Sequence, residues 1–436
     1  MSFKWLLHRM LPILIVISLI SCSGGGNSVQ PSPKEPTGDY TIARSNESRD
    51  LAPGVPDSQL NELVTGNTDF AIDLYNEVKD TSDNILFSPY SISIALAMTY
   101  AGARNNTESQ MADVFNFTLG QEGTHPALNK LDLELNSRGD NVDPKDRFQL
   151  NITNSIWGEN TWTFLPSFLD TIARNYGAGL RLVDFMNQPE ASRVTINDWV
   201  EIMTNDKIQD LIQEGMITNQ TVMVLVNAIY FNAQWKNAFI EESTAPQPFH
   251  TPGGDVTCQM MSLSEEFGYA KGNGYEAVDI PYTGDELSML CIVPDAGTFD
   301  DFESNLTADS LNSITSGLQN VEGSLKMPKF EFEMNLPLSD VLFDMGMSDA
   351  FSPGIADFSG MDGTLDLYIQ FVIHKAFISV DEAGTEAAAA TAVGIGFTSA
   401  PIEEFNLTID RPFIFMIRDR VTGSILFLGR VTDPTA

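Results

Sequence analysis

The chain has 436 residues, 43% of them hydrophobic and 10% aromatic, which is enough apolar side chain for one large core or two ordinary ones and too much for a disordered chain. Its 24 Lys and Arg stand against 59 Asp and Glu, and the net charge of -35 repels phosphate backbones, so no nucleic-acid partner is expected. The acid excess reads as a strongly solvated surface.

The first residues are set apart from the rest. Lys4, His8 and Arg9 flank the apolar run "MLPILIVISLI", which is short for a membrane span and has the shape of a secretory signal. It closes in "LISC", Leu19 to Cys22, which resembles the lipobox of bacterial lipoproteins. That resemblance implies a signal peptide over residues 1–22, lipidation of Cys22, and export to a bacterial membrane, periplasmic or cell-surface, with the bilayer as partner through an acyl anchor. Residues 23–58 are rich in Gly, Ser, Pro and charge, and are expected to form a disordered tether. A coil of about 36 residues reaches on the order of 35 Å. The folded domain is expected over residues 59–436.

"NTDFAIDLYNEVKD" spaces Phe70, Ala71, Leu74 and Val78 as a helix face, with Asn67 or Thr68 as N-cap. Helices dominate early. After about residue 147 the apolar runs shorten and alternate, predicting strands at "FQLNITNSIW", "VMVLVNAIYF", "AVDIPY", "LSMLCIVP", "SLKMPKFEFEM", "FVIHKAFISV" and "PFIFMIRD". Cys291 falls inside one of these runs as a small core residue. Neither it nor Cys258 has the paired Cys or His spacing of a disulfide or metal site. No GxSxG elbow, HExxH helix, Walker loop or dinucleotide-binding glycine fingerprint occurs, and His8, His125, His250 and His374 nominate no triad. The reading is one α+β domain that is not an enzyme and takes no cofactor.

"DEAGTEAAAATAVGIGFTSAP", Asp381 to Pro401, carries two compatible readings. As a strand it puts Thr385, Ala387, Ala389, Thr391, Val393, Ile395 and Phe397 on one face, small at first and then apolar. As a charge-poor segment with Gly394 and Gly396 ahead of Pro401, it looks like an exposed, cleavable loop. A loop in one state can be a central strand in another.

Within it, "VDEAGTEAAAATAV" resembles the hinge of the serpins, a family of serine protease inhibitors. "NILFSPYSISIALAMTYAGA" resembles their buried second helix, "LVNAIYFNAQW" and "LKMPKFEFE" two strands of their main sheet, and "DRPFIFMIRDRVTGSILFLGRVTDP" their C-terminal strands. The resemblance implies an α+β fold of three β-sheets and about nine helices, with a reactive-centre loop over about residues 382–402. It also implies suicide inhibition: a protease cleaves the loop, is held as an acyl-enzyme, and is carried along as the loop inserts into the main sheet. The hinge would comprise Glu382, Gly384, Thr385, Glu386, Ala387, Ala388, Ala389 and Ala390. Ser88, Ser91, Asn227 and His374 match the family's shutter, and Trp235, Lys329 and Glu382 its breach.

Counted from Glu382, the seventeenth loop residue is Thr398, which places the reactive bond at Thr398–Ser399; a loop one residue shorter places it at Phe397–Thr398. Thr398 suits elastase-like or subtilisin-like pockets and Phe397 chymotrypsin-like ones, with cysteine proteases a further possibility. No Lys or Arg lies between Asp381 and Ile409, which disfavours trypsin-like targets. Lys130, Arg138 and Lys145 are scattered among acids, so no heparin partner is expected, and a monomer is. The alternative is a non-inhibitory serpin that binds a ligand or serves as a scaffold.

Overall fold

The computed structural model describes residues 36–80, 84–143, 147–385 and 404–436. One sheet runs in the order β1 (Thr41–Ala43), β4 (Leu180–Val183), β3 (Gln149–Glu159), β5 (Met223–Gln234), β13 (Gly384–Thr385), β12 (Phe371–Val380) and β11 (Phe330–Pro337). The other runs β14 (Phe405–Thr408), β10 (Gln319–Pro328), β7 (Gly254–Gly272), β8 (Tyr275–Pro281), β9 (Leu287–Pro294), β15 (Phe413–Asp419), β16 (Ile425–Val431) and β2 (Ile85–Phe87). β6 (Ala245–Thr251) pairs with β7 alone.

Two of the three sheets expected from the resemblance are continuous here because β7 serves both. Met260 to Tyr269 of this 19-residue strand pair with β10, whereas Gly268 to Gly272 pair with β8.

Ten α-helices accompany the sheets among the described residues. They are α1 (Asp57–Val78), α2 (Pro89–Tyr100), α3 (Asn105–Phe115), α4 (Gly120–Asn136), α5 (Pro166–Tyr176), α6 (Pro189–Met203), α7 (Phe299–Ser304), α8 (Ala308–Ser316), α9 (Leu338–Asp344) and α10 (Ser359–Asp362). Only α1 to α4 precede residue 147, so helices interleave with strands further along than the sequence pattern predicts.

α2 is apolar around its whole circumference, and all twelve of its residues are buried. Ser88 caps it by accepting from the Ser91 N–H, and Pro89 presets the first turn. It packs beneath β3 and β5 and against β16. On the opposite face of the first sheet, Ile196, Trp199 and Val200 of α6 close a second core over Val224 and Val226 of β5 and Ile373 of β12. Ten of the twelve residues of β5 are accordingly buried, the pattern of a strand covered on both faces.

Two expectations fail at the front of the chain. α1 begins ten residues before Asn67, at Asp57 behind Pro56. Asn67 instead accepts from the Ser93 hydroxyl at 2.6 Å, and Thr68 donates to Val64 O within the helix at 3.0 Å. The apolar face extends upstream through Leu60, Leu63 and Val64.

Residues 36–58, expected as tether, are also built into the fold. β1 pairs antiparallel with β4, Tyr40 meets Trp157 edge-on at 5.3 Å, and the Asp50 N–H donates to Arg174 O. Arg49 donates to Asn129 Oδ1 at 2.8 Å and to Asp132 Oδ2 at 2.6 Å. Backbone pairing and one guanidinium do the anchoring, which a count of large apolar residues does not register. Cys22 and residues 23–35 lie outside the described residues.

Arg49→Ala is expected to destabilise the protein by about 1–2 kcal/mol, because Asn129 and Asp132 both lose a charged donor. A lowered urea midpoint checks this, and an unchanged midpoint would return the segment to the status of a passive tether.

Candidate functional site

The site is a line through the first sheet where β5 and β12 meet. Val224–Ile229 pair in parallel with Phe371–Ala376, and there the pairing stops. Above it the two strands part around β13, in which Thr385 lies opposite Val380 of β12 and Ala233 of β5. Among the described residues, the hinge thus enters the sheet at Gly384 and Thr385. Gly384 is required by contact: a Cβ there would sit 2.0 Å from Ala233 O.

At the top, expected as the breach, Lys329 donates to Glu382 Oε2 at 2.6 Å and the Thr244 hydroxyl to Glu382 Oε1 at 2.7 Å. Burial works against ionisation of this carboxyl, but the bonds from Lys329 and Thr244 outweigh it and hold the pKa below the usual range. The Trp235 indole donates to Asp381 O at 2.9 Å. The N–H groups of Trp235 and Phe239 hold Ala383 O and Glu382 O, and Asp381 Oδ1 accepts from the N–H groups of Ala383 and Gly384. Inside the sheet, Thr385 shares a 2.7 Å hydrogen bond with the Tyr282 hydroxyl. Tyr282 is buried, stacked on Trp235 at 4.7 Å and edge-on to Phe231 at 5.3 Å, and burial pushes its pKa far above the ordinary range.

Lower down lies the polar row expected as the shutter. Ser88, Ser91, Asn227 and His374 are all fully buried and mutually bonded. The Ser88 N–H donates to His374 Nε2 at 3.1 Å, so this nitrogen carries no proton, and Nδ1–H donates to Asn227 Oδ1. Asn227 Nδ2 donates to Ser91 Oγ at 2.6 Å and to Asn154 Oδ1. Asn154, Asn227 and His374 lie abreast on β3, β5 and β12. Burial lowers the His374 pKa to about 3, because the apolar surroundings disfavour the charged ring.

The sequence reading missed Asn154, Thr244, Asp381 and Tyr282. Of these, Asn154 alone left a trace, as an amide on the same face as Ile152 and Ile156 in an alternating strand. Glu386, Ala387 to Ala390, Phe397, Thr398 and Ser399 lie outside the described residues. Among the described residues, Cys258 and Cys291 are free and buried and no cluster suited to a metal is found. His125 is buried against Tyr176 and Gln121, and burial and the nearby Arg104 lower its pKa to about 4. His250 is on the surface, bonded to Asp255.

The family described as "Serpin (serine protease inhibitor)" matches residues 65–434. The chain is 39% identical to human leukocyte elastase inhibitor over 387 residues, 86% of this chain and 100% of that protein. Among solved structures it is similar to native tengpin, a thermophilic serpin, with a TM-score of 0.79 and 28% identity over 91% of this chain and all of that one. It is also similar to human thyroxine-binding globulin complexed with thyroxine, with a TM-score of 0.77 and 31% identity over 87% of this chain and all of that one.

Two buried neutral histidines give a pH dependence of definite sign. Their pKa values lie below the unfolded value of about 6.5, so their stabilisation is complete above that pH and is lost as pH falls toward about 3 for His374 and about 4 for His125. Between pH 7 and pH 5 each is expected to remove about 2 kcal/mol. The thermal midpoint should fall over that range, and by less in His125→Gln. A midpoint independent of pH would count against neutral burial.

Proposed function

The chain belongs to the serpin family, and we propose that it inhibits proteases as a suicide substrate whose cleaved loop inserts between β5 and β12. The observation that carries the reading is β13: the hinge is seated at the mouth of a seam that is closed below it. Insertion gives up one parallel ladder and makes two antiparallel ones. Each ladder bond is worth about 1 kcal/mol net, so the gain accumulates along the strand. The protease supplies the chemistry. Its nucleophile attacks the carbonyl of the residue in its primary pocket and the new N-terminus leaves, while the serpin removes the acyl-enzyme from its working geometry before water completes the reaction.

The residues between Glu386 and Ala390 are small and uncharged after the first, as a strand entering a packed sheet requires. Thr398 as the carbonyl donor suits elastase-like or subtilisin-like enzymes. Similarity to leukocyte elastase inhibitor favours the same class. The protein works as a monomer, exported and held at a bacterial membrane through lipid on Cys22. Similarity to thyroxine-binding globulin supports a second reading, a serpin that binds a ligand.

Incubation with pancreatic elastase is expected to give a complex stable in denaturing electrophoresis and a released peptide that begins at Ser399. A peptide beginning at Thr398 would move the bond to Phe397 and the target to the chymotrypsin-like class. Ala387→Arg and Ala389→Pro should turn the inhibitor into a substrate, one by placing a charge on the core face and the other by removing a ladder donor. Full complex yield from either would overturn the role of these alanines in insertion, whereas a cleaved chain no more heat-stable than the intact one favours the ligand-binding reading.

The anchor has its own test. The native protein should partition into the detergent phase and Cys22→Ser into the aqueous phase, because the acyl chains are gone. Equal partitioning would remove the lipid from the account.

A further inference from the structure

We propose that Tyr282 is a positioning residue, which fixes the register of the inserting loop through its buried hydroxyl contact with Thr385. The proposal rests on the inhibitory reading above. A β-strand has a side-chain period of two, so a slip of one residue exchanges its faces completely. The first inserted residues therefore decide which side chains reach the core. Among the described residues the loop has Gly384 and Thr385 in the sheet, and Gly384 has no side chain with which to mark a face.

Thr385 carries the mark. Its side chain is 1% exposed, and its hydroxyl meets that of Tyr282, whose ring is held by Trp235 and Phe231. Tyr282 does not belong to the strands that receive the loop. It follows β8 of the other sheet and is bridged to Trp235, just past the end of β5, so the contact ties the entering hinge to β5 and to the second sheet together.

With Thr385 pinned opposite Ala233 and Val380, the register follows by counting antiparallel along both neighbours. Ala387 comes opposite Phe231 and Ile378, Ala389 opposite Ile229 and Ala376, and Thr391 opposite Asn227 and His374. The small face is thereby delivered to the core, and a hydroxyl to the polar row. Slipped by one residue, the same strand would press the Glu386 carboxylate against Tyr282 and Phe231. A loop that hesitates or slips leaves the acyl-enzyme time to hydrolyse, so loss of the pin should appear as substrate behaviour.

The test uses Tyr282→Phe, Thr385→Val, their double variant and Thr385→Ser. Two readouts are made: amide exchange of the peptide spanning residues 381–385 in the intact chain, and the number of inhibitor molecules consumed per pancreatic elastase inactivated. Tyr282→Phe and Thr385→Val should each speed exchange about tenfold and raise consumption severalfold. The double variant should go no further than either single one, since both remove the same bond. Thr385→Ser, which keeps the hydroxyl, should recover most of what Thr385→Val loses. Unchanged exchange in Tyr282→Phe overturns the proposal, as do additive effects in the double variant. If the native chain forms no complex with elastase or chymotrypsin while the exchange results hold, the inhibitory reading falls, the register proposal falls with it, and only the resting contact between Tyr282 and Thr385 stands. If complex forms and the variants match the native chain, the pin falls and the inhibitory reading stands.

Discussion

The molecule is organised around a seam six residues long, the parallel contact between Val224–Ile229 of β5 and Phe371–Ala376 of β12. It must hold at rest, yet in the proposed mechanism it is where a further strand enters. Each face is covered by a different layer. Beneath it lie α2 and the large core through Leu225, Ile229 and Val372; above it α6 presses Ile196, Trp199 and Val200 onto Val224, Val226 and Ile373. Separating the strands therefore disturbs both packings at once, which makes opening cooperative and keeps the resting state closed.

The two polar clusters along this line resist opening to different degrees. Lys329 and Glu382 at the top are 38% and 11% exposed, so water can replace much of what their ion pair provides, and a pair of that kind contributes little. Asn227 and His374 are completely buried. Parting them without a substitute would leave two polar groups unsatisfied at about 1–3 kcal/mol each. In the proposed mechanism the top serves as a loose mouth for the hinge and the row below it as the gate.

Much of this was legible in the sequence because strands buried on both faces leave long apolar runs. "LSMLCIVP" and "FVIHKAFISV" coincide with β9 and β12 residue for residue. The hinge stood out by its small residues, whereas His374 and Asn227, polar residues inside such runs, drew their expected role only from the family resemblance. What stayed hidden depends on partners far along the chain. Tyr282 meets Thr385 across 103 residues, and Thr244 meets Glu382 across 138, with nothing local to mark them. Residues 36–58 were misread because their order comes from backbone pairing and from Arg49, which reaches 83 residues along to Asp132. Asn67 and Thr68 were misread because residues that cap helices also serve within them when a buried acceptor or donor lies near.

An apolar row in place of Asn154, Asn227 and His374 would close the seam at least as well, so its polarity requires a reason. An apolar contact opens gradually and loses attraction in proportion to area. A buried hydrogen bond is nearly neutral while every partner is satisfied and costly when one is not, so its energy depends sharply on what lies between the strands. His374 uses both ring nitrogens, one toward Ser88 and one toward Asn227, and only the second bond crosses the seam. A strand entering there breaks that one bond and leaves the bond to Ser88 in place. If it brings a hydroxyl at that level, as the register continued from Thr385 does with Thr391, the lost bond can be remade on both sides. In the proposed mechanism the seam is then stable empty and stable filled, and unfavourable only between the two, which is the energy profile a one-way insertion needs.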